Sequence, residues 1–343
     1  MKRLAFIAWV LSAAPLLPVA MQAQKITTFD VPGGIETNPL ALSASGVVTG
    51  LYGDPISGKV RGFLRGAAGA VTTFDVAGMN TIPTAINANG QIAGYYCAAP
   101  ISPCNSFLRQ PDGTITAIDI PDAYDVEAAA IDARGQIAGS WVDQLNDHQA
   151  FLHNADGVTT TFDINGAFVV LPHAMNAKGQ IVGFWNDVVS AKGRGFLRDA
   201  DGSITNVDVP AALTTDTTPY AINSKGQIAG IYSFQCVFPN TGTCNNADHG
   251  FLRETNGQFT TFDVPNSLFT VAVSLDSKGD VTGYYEDANG RIRGFLRKTN
   301  ASILTFAVSN AQVTVPVAMN SSGTITGVYF DVEGEEHGFI AKF

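Results

Sequence analysis

Helical periodicity is missing from this sequence, and so, beyond residue 20, is any apolar run long enough to cross a membrane. Charge is scarce too, at 15% of residues, and the basic sign is the rarer, with 20 Lys and Arg against 30 Asp and Glu. A nucleic-acid partner needs a basic face, and none is visible; the net charge of −10 is read as serving solubility. There is no Gly-x-Ser-x-Gly elbow, no His-Glu-x-x-His, no phosphate loop and no dinucleotide fingerprint, so neither a catalytic residue nor a cofactor is expected. The four cysteines fall in two close pairs, Cys97 with Cys104 and Cys236 with Cys244. Two local disulfides in an oxidising compartment are the simplest pairing. A four-thiolate zinc site would need the two loops to meet and lacks the usual CxxC spacing, so no metal is expected.

The chain starts with a basic Met1-Lys2-Arg3, followed by an apolar segment from Leu4 to Ala20 that Pro15 and Pro18 interrupt. That pattern reads as a secretory signal over residues 1–23. Residues 24–343 then form one exported domain, secreted or periplasmic, with no membrane span and with a monomer as the expected state.

What the sequence does have is a repeat. Ala221-Ile222-Asn223-Ser224-Lys225-Gly226-Gln227-Ile228-Ala229-Gly230 is one of seven copies, the others starting at Ala41, Ala85, Ala130, Ala174, Ser274 and Ala318. Copies of Thr-Phe-Asp-Val begin at Ile26, Val71, Ile115, Thr159, Ile204, Phe259 and Ile303, and a Phe-Leu-Arg motif recurs around Phe63, Phe107, Phe151, Phe196, Phe251, Phe295 and Phe339. Four short strands in a period of about 44 residues describe a β-propeller blade. The expected fold is therefore all-β, a seven-bladed β-propeller of four-stranded blades. The chain opens on a fourth strand and ends on a third, so the N-terminal strand is expected to join the last blade and close the ring.

Two of the connections in each unit are tight turns, with Asn, Asp or Ser first and Gly fourth, and these define one uniform face. The other two vary. The step from the closing glycine to the third-strand Phe is 12 or 13 residues in six units but 21 between Gly230 and Phe251. Variable loops on a rigid scaffold are where binding usually resides, so ligand residues are sought there. An aromatic stands two places after every closing glycine, including Trp141 and Trp185 on adjacent units, and serves either packing between blades or stacking on a sugar. Four places after the glycine come Asp54, Asp143, Asp187, Asp287 and Asp331, which either organise the loop or bind a cation; equivalent sites on neighbouring blades are about 10 Å apart, too far to share one ion. His249 belongs to a polar set two places before the third-strand Phe, and His173 is the histidine placed to approach the central channel. Trp141, Trp185, Asp143, Asp187, His173 and His249 are thus the candidate ligand residues.

The units, with Ala-Ile-Asn-x-x-Gly-Gln-Ile-Ala-Gly followed by His249-Gly250-Phe251, Gln149-Ala150-Phe151 or His337-Gly338-Phe339, resemble the HAF family of probable extracellular repeats. The resemblance covers nearly the whole chain after the leader, although several copies carry Arg, Asn or Gln where that family has His. It implies export from a bacterial cell and a propeller-like repeat domain, and it brings no activity and no catalytic residues. The expected function is a non-catalytic binding or scaffold module with an extracellular glycan or protein as partner. The alternative is a carbohydrate-active lyase or hydrolase on the same scaffold.

Overall fold

The computed structural model describes residues 25–99, 103–144, 147–187, 189–190, 192–210, 214–234 and 248–343. The expected leader and the Cys236–Cys244 pair lie outside them. Among the described residues there is no helix; the chain is built of short strands and turns. Consecutive strands pair antiparallel and group in fours. Unit 1 is Ile35–Leu42, Val48–Asp54, Lys59–Arg65 and Val71–Phe74, and unit 4 is Ala167–Met175, Ile181–Asp187, Lys192–Arg198 and Ile204–Val207. Units 2, 3, 5 and 6 start at Asn80, Asp125, Thr214 and Thr270. The last group is Val313–Met319, Thr324–Phe330 and Glu336–Lys342, and its fourth strand is the N-terminal Lys25–Phe29, with Lys25 opposite Lys342 and Phe29 opposite Gly338. These strands form two eight-stranded and three four-stranded sheets, all open, the larger ones arising where a single parallel bridge links neighbouring units, as at His148 and Val169.

The sequence dictates this construction locally. In each tight turn the fourth residue sits at positive φ, +79° at Gly90 and +81° at Gly179, while its amide bonds the carbonyl of the first residue. This is a type I turn followed by a left-handed residue, the connection that suits a three-residue hairpin loop. The closing glycine has a different reason. Opposite it the first strand is bulged, with register shifts at Pro83/Ala85, Pro172/Ala174 and Pro219/Ala221, and its backbone presses inward. A Cβ on Gly183 would lie 2.1 Å from the Leu171 carbonyl oxygen. Proline is tolerated in that first strand because it sits at the bulge.

The core lies between units. All seven third-strand phenylalanines have no exposed surface. Phe74 meets Phe107 of the next unit edge-on at 6.3 Å, Phe162 meets Phe196 at 6.3 Å and Phe262 meets Phe295 at 6.1 Å. Over the same rings lie the arginines of Phe-Leu-Arg, Arg109 over Phe74 and Arg198 over Phe162. Phe29 of the N-terminal strand makes the same contacts, with Phe63 at 6.1 Å and Arg65 at 4.7 Å. Each face-to-edge pair contributes about 1 kcal/mol beyond the area it buries.

Candidate functional site

At the loop end of every unit the third strand carries a residue that faces the aromatic of the second. The rings of Tyr232 and His249 stack at 5.3 Å, those of Tyr329 and His337 at 5.0 Å, and Arg194 lies 5.9 Å from the Trp185 ring centre. Where that residue is cationic, carboxylates flank it. Arg194 donates to Asp187 at 3.0 Å and Asp208 at 2.7 Å, Arg61 to Asp54 at 2.7 Å and to Asp75, and His337 lies between Asp30 at 2.8 Å and Asp331 at 3.3 Å. His249 lies 3.0 Å from the Asp263 carboxylate.

The loop aspartates also hold their own loops. Asp187 accepts the Ser190 hydroxyl at 2.6 Å and the amides of Val189 and Ser190, which, with Arg194, hold its carboxyl far below the usual range. Asp54 is pushed down to about 2, first by the Ser57 hydroxyl and then by the Ile56 amide. Asp143 accepts the Asp147 amide at 3.0 Å. In unit 2, which lacks this aspartate, Cys97 and Cys104 face each other across the strand pair and form a disulfide with Cα atoms 4.4 Å apart. A covalent clamp replaces the hydrogen-bonded one.

The six sequence candidates are spread over three units, with Trp141 and Asp143 in unit 3, His173, Trp185 and Asp187 in unit 4, and His249 in unit 5; Trp185 and Asp187 meet at Arg194. Trp185 is buried among Val170, Ile181 and Phe196, and Trp141 packs against the neighbouring cluster of Val126, Ile137 and Phe151. The indole nitrogens of both are buried without a hydrogen-bond partner among the described residues. His173 hydrogen-bonds the Pro219 carbonyl through Nδ1 at 2.8 Å and stacks on Tyr220 at 5.3 Å, a joint between units 4 and 5. Burial holds its pKa below the ordinary histidine value despite that bond.

Two cavities open beside these groups. The larger, about 630 Å³, lies between units 4 and 5 and is lined by Phe168, Phe184, Asn186, Asp187, Asp216 and Ser233. A second, about 200 Å³, lies between units 3 and 4 with Asp125, Glu127, Ser140 and His148 on its walls. Burial, reinforced by Asp125, pushes the Glu127 carboxyl up, and burial followed by Glu127 and Asp125 does the same to the Tyr95 hydroxyl. Asp125, Glu127 and Cys104 are close enough to share an ion, within 4.8 Å of one another, but the Cys104 sulfur is in the disulfide and two carboxylates alone make a poor cage. Of the cavity residues only Asp187 was a sequence candidate. Phe168 and Tyr124 precede the buried part of a first strand, where the repeat motif has no fixed residue, so only the observation of exposed aromatics flags them.

The exposed apolar side chains are the less expected feature. Eight large hydrophobic residues stand out of the described surface, and seven of them are on the loop face. Ile35, Tyr124, Phe168 and Leu268 lie at the start of their first strands, between 48% and 55% exposed, while Ile56, Val189 and Val332 sit in second-to-third loops. Val158, in a third-to-fourth turn, is the exception.

No family model and no curated protein matches the chain by sequence. Solved structures do match. Virginiamycin B lyase from Staphylococcus aureus aligns over 93% of this chain and 99% of its own, at 14% identity and a TM-score of 0.58. An oligogalacturonate lyase in complex with manganese aligns over 96% and 97%, at 13% identity and a TM-score of 0.63. The β-propeller domain of the trilobed protease from Pyrococcus furiosus aligns over 91% and 94%, at 8% identity and a TM-score of 0.62. The protein has an all-β, propeller-like fold.

Proposed function

We propose that this protein is an exported seven-bladed propeller, closed by its N-terminal strand, that binds a glycan through the loop face of units 3 to 5. The closure reading is supported by the pairing of Lys25–Phe29 with Glu336–Lys342, by packing of Ile35–Leu42 against the last unit, and by the Asn320 amide that donates to the Ser43 carbonyl at 3.2 Å as Asn176 does to Asn223. The disulfide fits an oxidising compartment, and the repeat pattern fits the HAF resemblance. The observation that carries the binding reading is the place of Phe168, about half exposed and on the wall of the cavity between units 4 and 5. Phe168, beside a cavity with amide, hydroxyl and carboxylate groups, presents a ring on which a sugar can stack while its hydroxyls find partners.

The test is affinity electrophoresis against neutral and acidic polysaccharides with Tyr124→Ala/Phe168→Ala. Retardation of the wild type should fall at least tenfold in the variant, with melting unchanged because both rings are half in water. Failure of the wild type to bind any polysaccharide, or full retention by the variant, overturns the proposal. A catalytic reading is favoured by one observation, the raised Glu127 carboxyl beside Asp125 and His148, on a fold shared with lyases. It predicts turnover of an acidic polysaccharide that Glu127→Gln abolishes.

A further inference from the structure

The uniform turn face is not uniform at the junction between the last unit and the first. In units 2 to 5 a glutamine follows the turn glycine and bridges the two turns of its unit: Gln91 to Gln110 at 3.0 Å, Gln136 to Asn154 at 2.7 Å, Gln180 to Asp199 at 2.7 Å and Gln227 to Glu254 at 2.8 Å. These side chains also fill the space above the next unit's turn glycine. A Cβ on Gly135 would lie 3.1 Å from Gln91, on Gly226 3.3 Å from Gln180 and on Gly279 3.2 Å from Gln227. Unit 6 uses Asp280, held by Lys298 at 3.1 Å. The last unit has the shorter Thr324, and the turns of unit 1 that face it carry only Ala44, Ser45, Ala67 and Ala68 between their glycines. A cavity of about 350 Å³ remains.

Its lining holds Lys25, Arg65 and Lys342 and no carboxylate, in a chain with 30 acidic and 20 basic residues. Lys25 and Lys342 are directly opposite in the antiparallel pair that joins the two chain ends. Like charges at such a position repel and weaken the pairing. Arg65 lies over Phe29 on the same wall, its Nε buried without a partner. That stack recurs at Arg109, Arg198 and Arg297, so it is shared with three other junctions; the cavity and the two lysines are what distinguish this one. Among the described residues none of the three cations has an ion-pair partner.

We infer that this cavity binds a dianionic oxyanion, phosphate or sulfate, free or as an ester on a sugar, and that the bound anion fastens the N-terminal strand to the last unit. Three cations around a concave site favour a compact dianion. The guanidinium supplies paired donors and the lysines supply point charges that stop repelling each other once it is present. The volume falls in the range of small-molecule pockets and leaves room for an attached ring.

The experiment is thermal melting in sodium phosphate and in sodium sulfate against sodium chloride at equal ionic strength, for the wild type, Lys25→Gln/Lys342→Gln, Ala67→Glu and the exposed control Lys278→Gln. Wild type and control should show a saturable rise, about 4 °C at a hundredfold excess over Kd. The lysine pair should melt no lower than the wild type in chloride and show no rise. Ala67→Glu places a carboxylate among the cations, so it should melt higher in chloride and also lose the response. A rise in either variant equal to that of the wild type overturns the inference, as does a wild-type rise no larger than chloride gives. A sulfated oligosaccharide acting where the same concentration of free sulfate does not identifies the ester; equal potency identifies the free ion.

Discussion

Gly183 shows how much a single position can be asked to do. Its missing side chain lets the bulged first strand lie within 2.1 Å of where a Cβ would be, with the Phe196 ring 2.8 Å away on the other side. Gly183→Ala should cost about 3 kcal/mol, because neither a carbonyl in a ladder nor a fully buried ring can yield; chemical denaturation of the variant measures it. The sequence displayed this glycine seven times without displaying its cause, since a bulge leaves no periodic trace. The loop aspartates were more legible. Bonding to their own loops was one of two readings open from spacing alone, and Asp54, Asp143 and Asp187 all do it. The tryptophans could not be resolved from sequence, because a ring that packs between units and a ring that meets a sugar occupy the same register. The structure puts Trp185 in the core and gives the exposed place to Phe168.

At the level of strands and turns, element order followed from the sevenfold repeat and from turns with Asn, Asp or Ser first and Gly fourth, so it was readable throughout. What patterning could not give is the set of side-chain clamps between strands. His337 is the clearest. Burial alone would lower its pKa, but hydrogen bonds to Asp30 and Asp331 together outweigh burial and hold it above the ordinary histidine value. Its stabilising contribution is therefore complete below the unfolded pKa of about 6.5 and fades as pH rises through the higher folded value. The difference in melting temperature between wild type and His337→Gln should be largest near pH 5 and vanish near pH 9. Since Asp30 adjoins the N-terminal strand and Asp331 follows the second strand of the last unit, a difference that does not change with pH would show that this charge plays no part in holding them.

For the whole molecule the informative quantity is phase. The sequence repeat begins one strand away from the structural unit, and that offset made the pairing of Lys25–Phe29 with the last unit legible in the sequence. Deleting residues 25–31 would strip the fourth strand from the last unit, remove Phe29 from Phe63 and Arg65, and expose the edge of Glu336–Lys342. The truncated protein should melt well below the full chain and self-associate in light scattering; unchanged melting would contradict the role given to this strand. The cavity beside it was not legible, because it results from the small size of residues in two distant units at once, and neither alone breaks the turn pattern.

The pairing of Lys25 with Lys342 joins residues 317 positions apart, 342 less 25. A ribosome makes the first partner and then six complete units before it reaches the second. Each intervening unit meets its neighbour as it emerges, at short range along the chain, whereas the N-terminal strand must wait beside Phe63 until the last unit has been made. The slowest and most entropically costly contact therefore becomes available only after those between consecutive units. Until it forms, the growing chain carries a free strand at one end and an unfilled edge at the other.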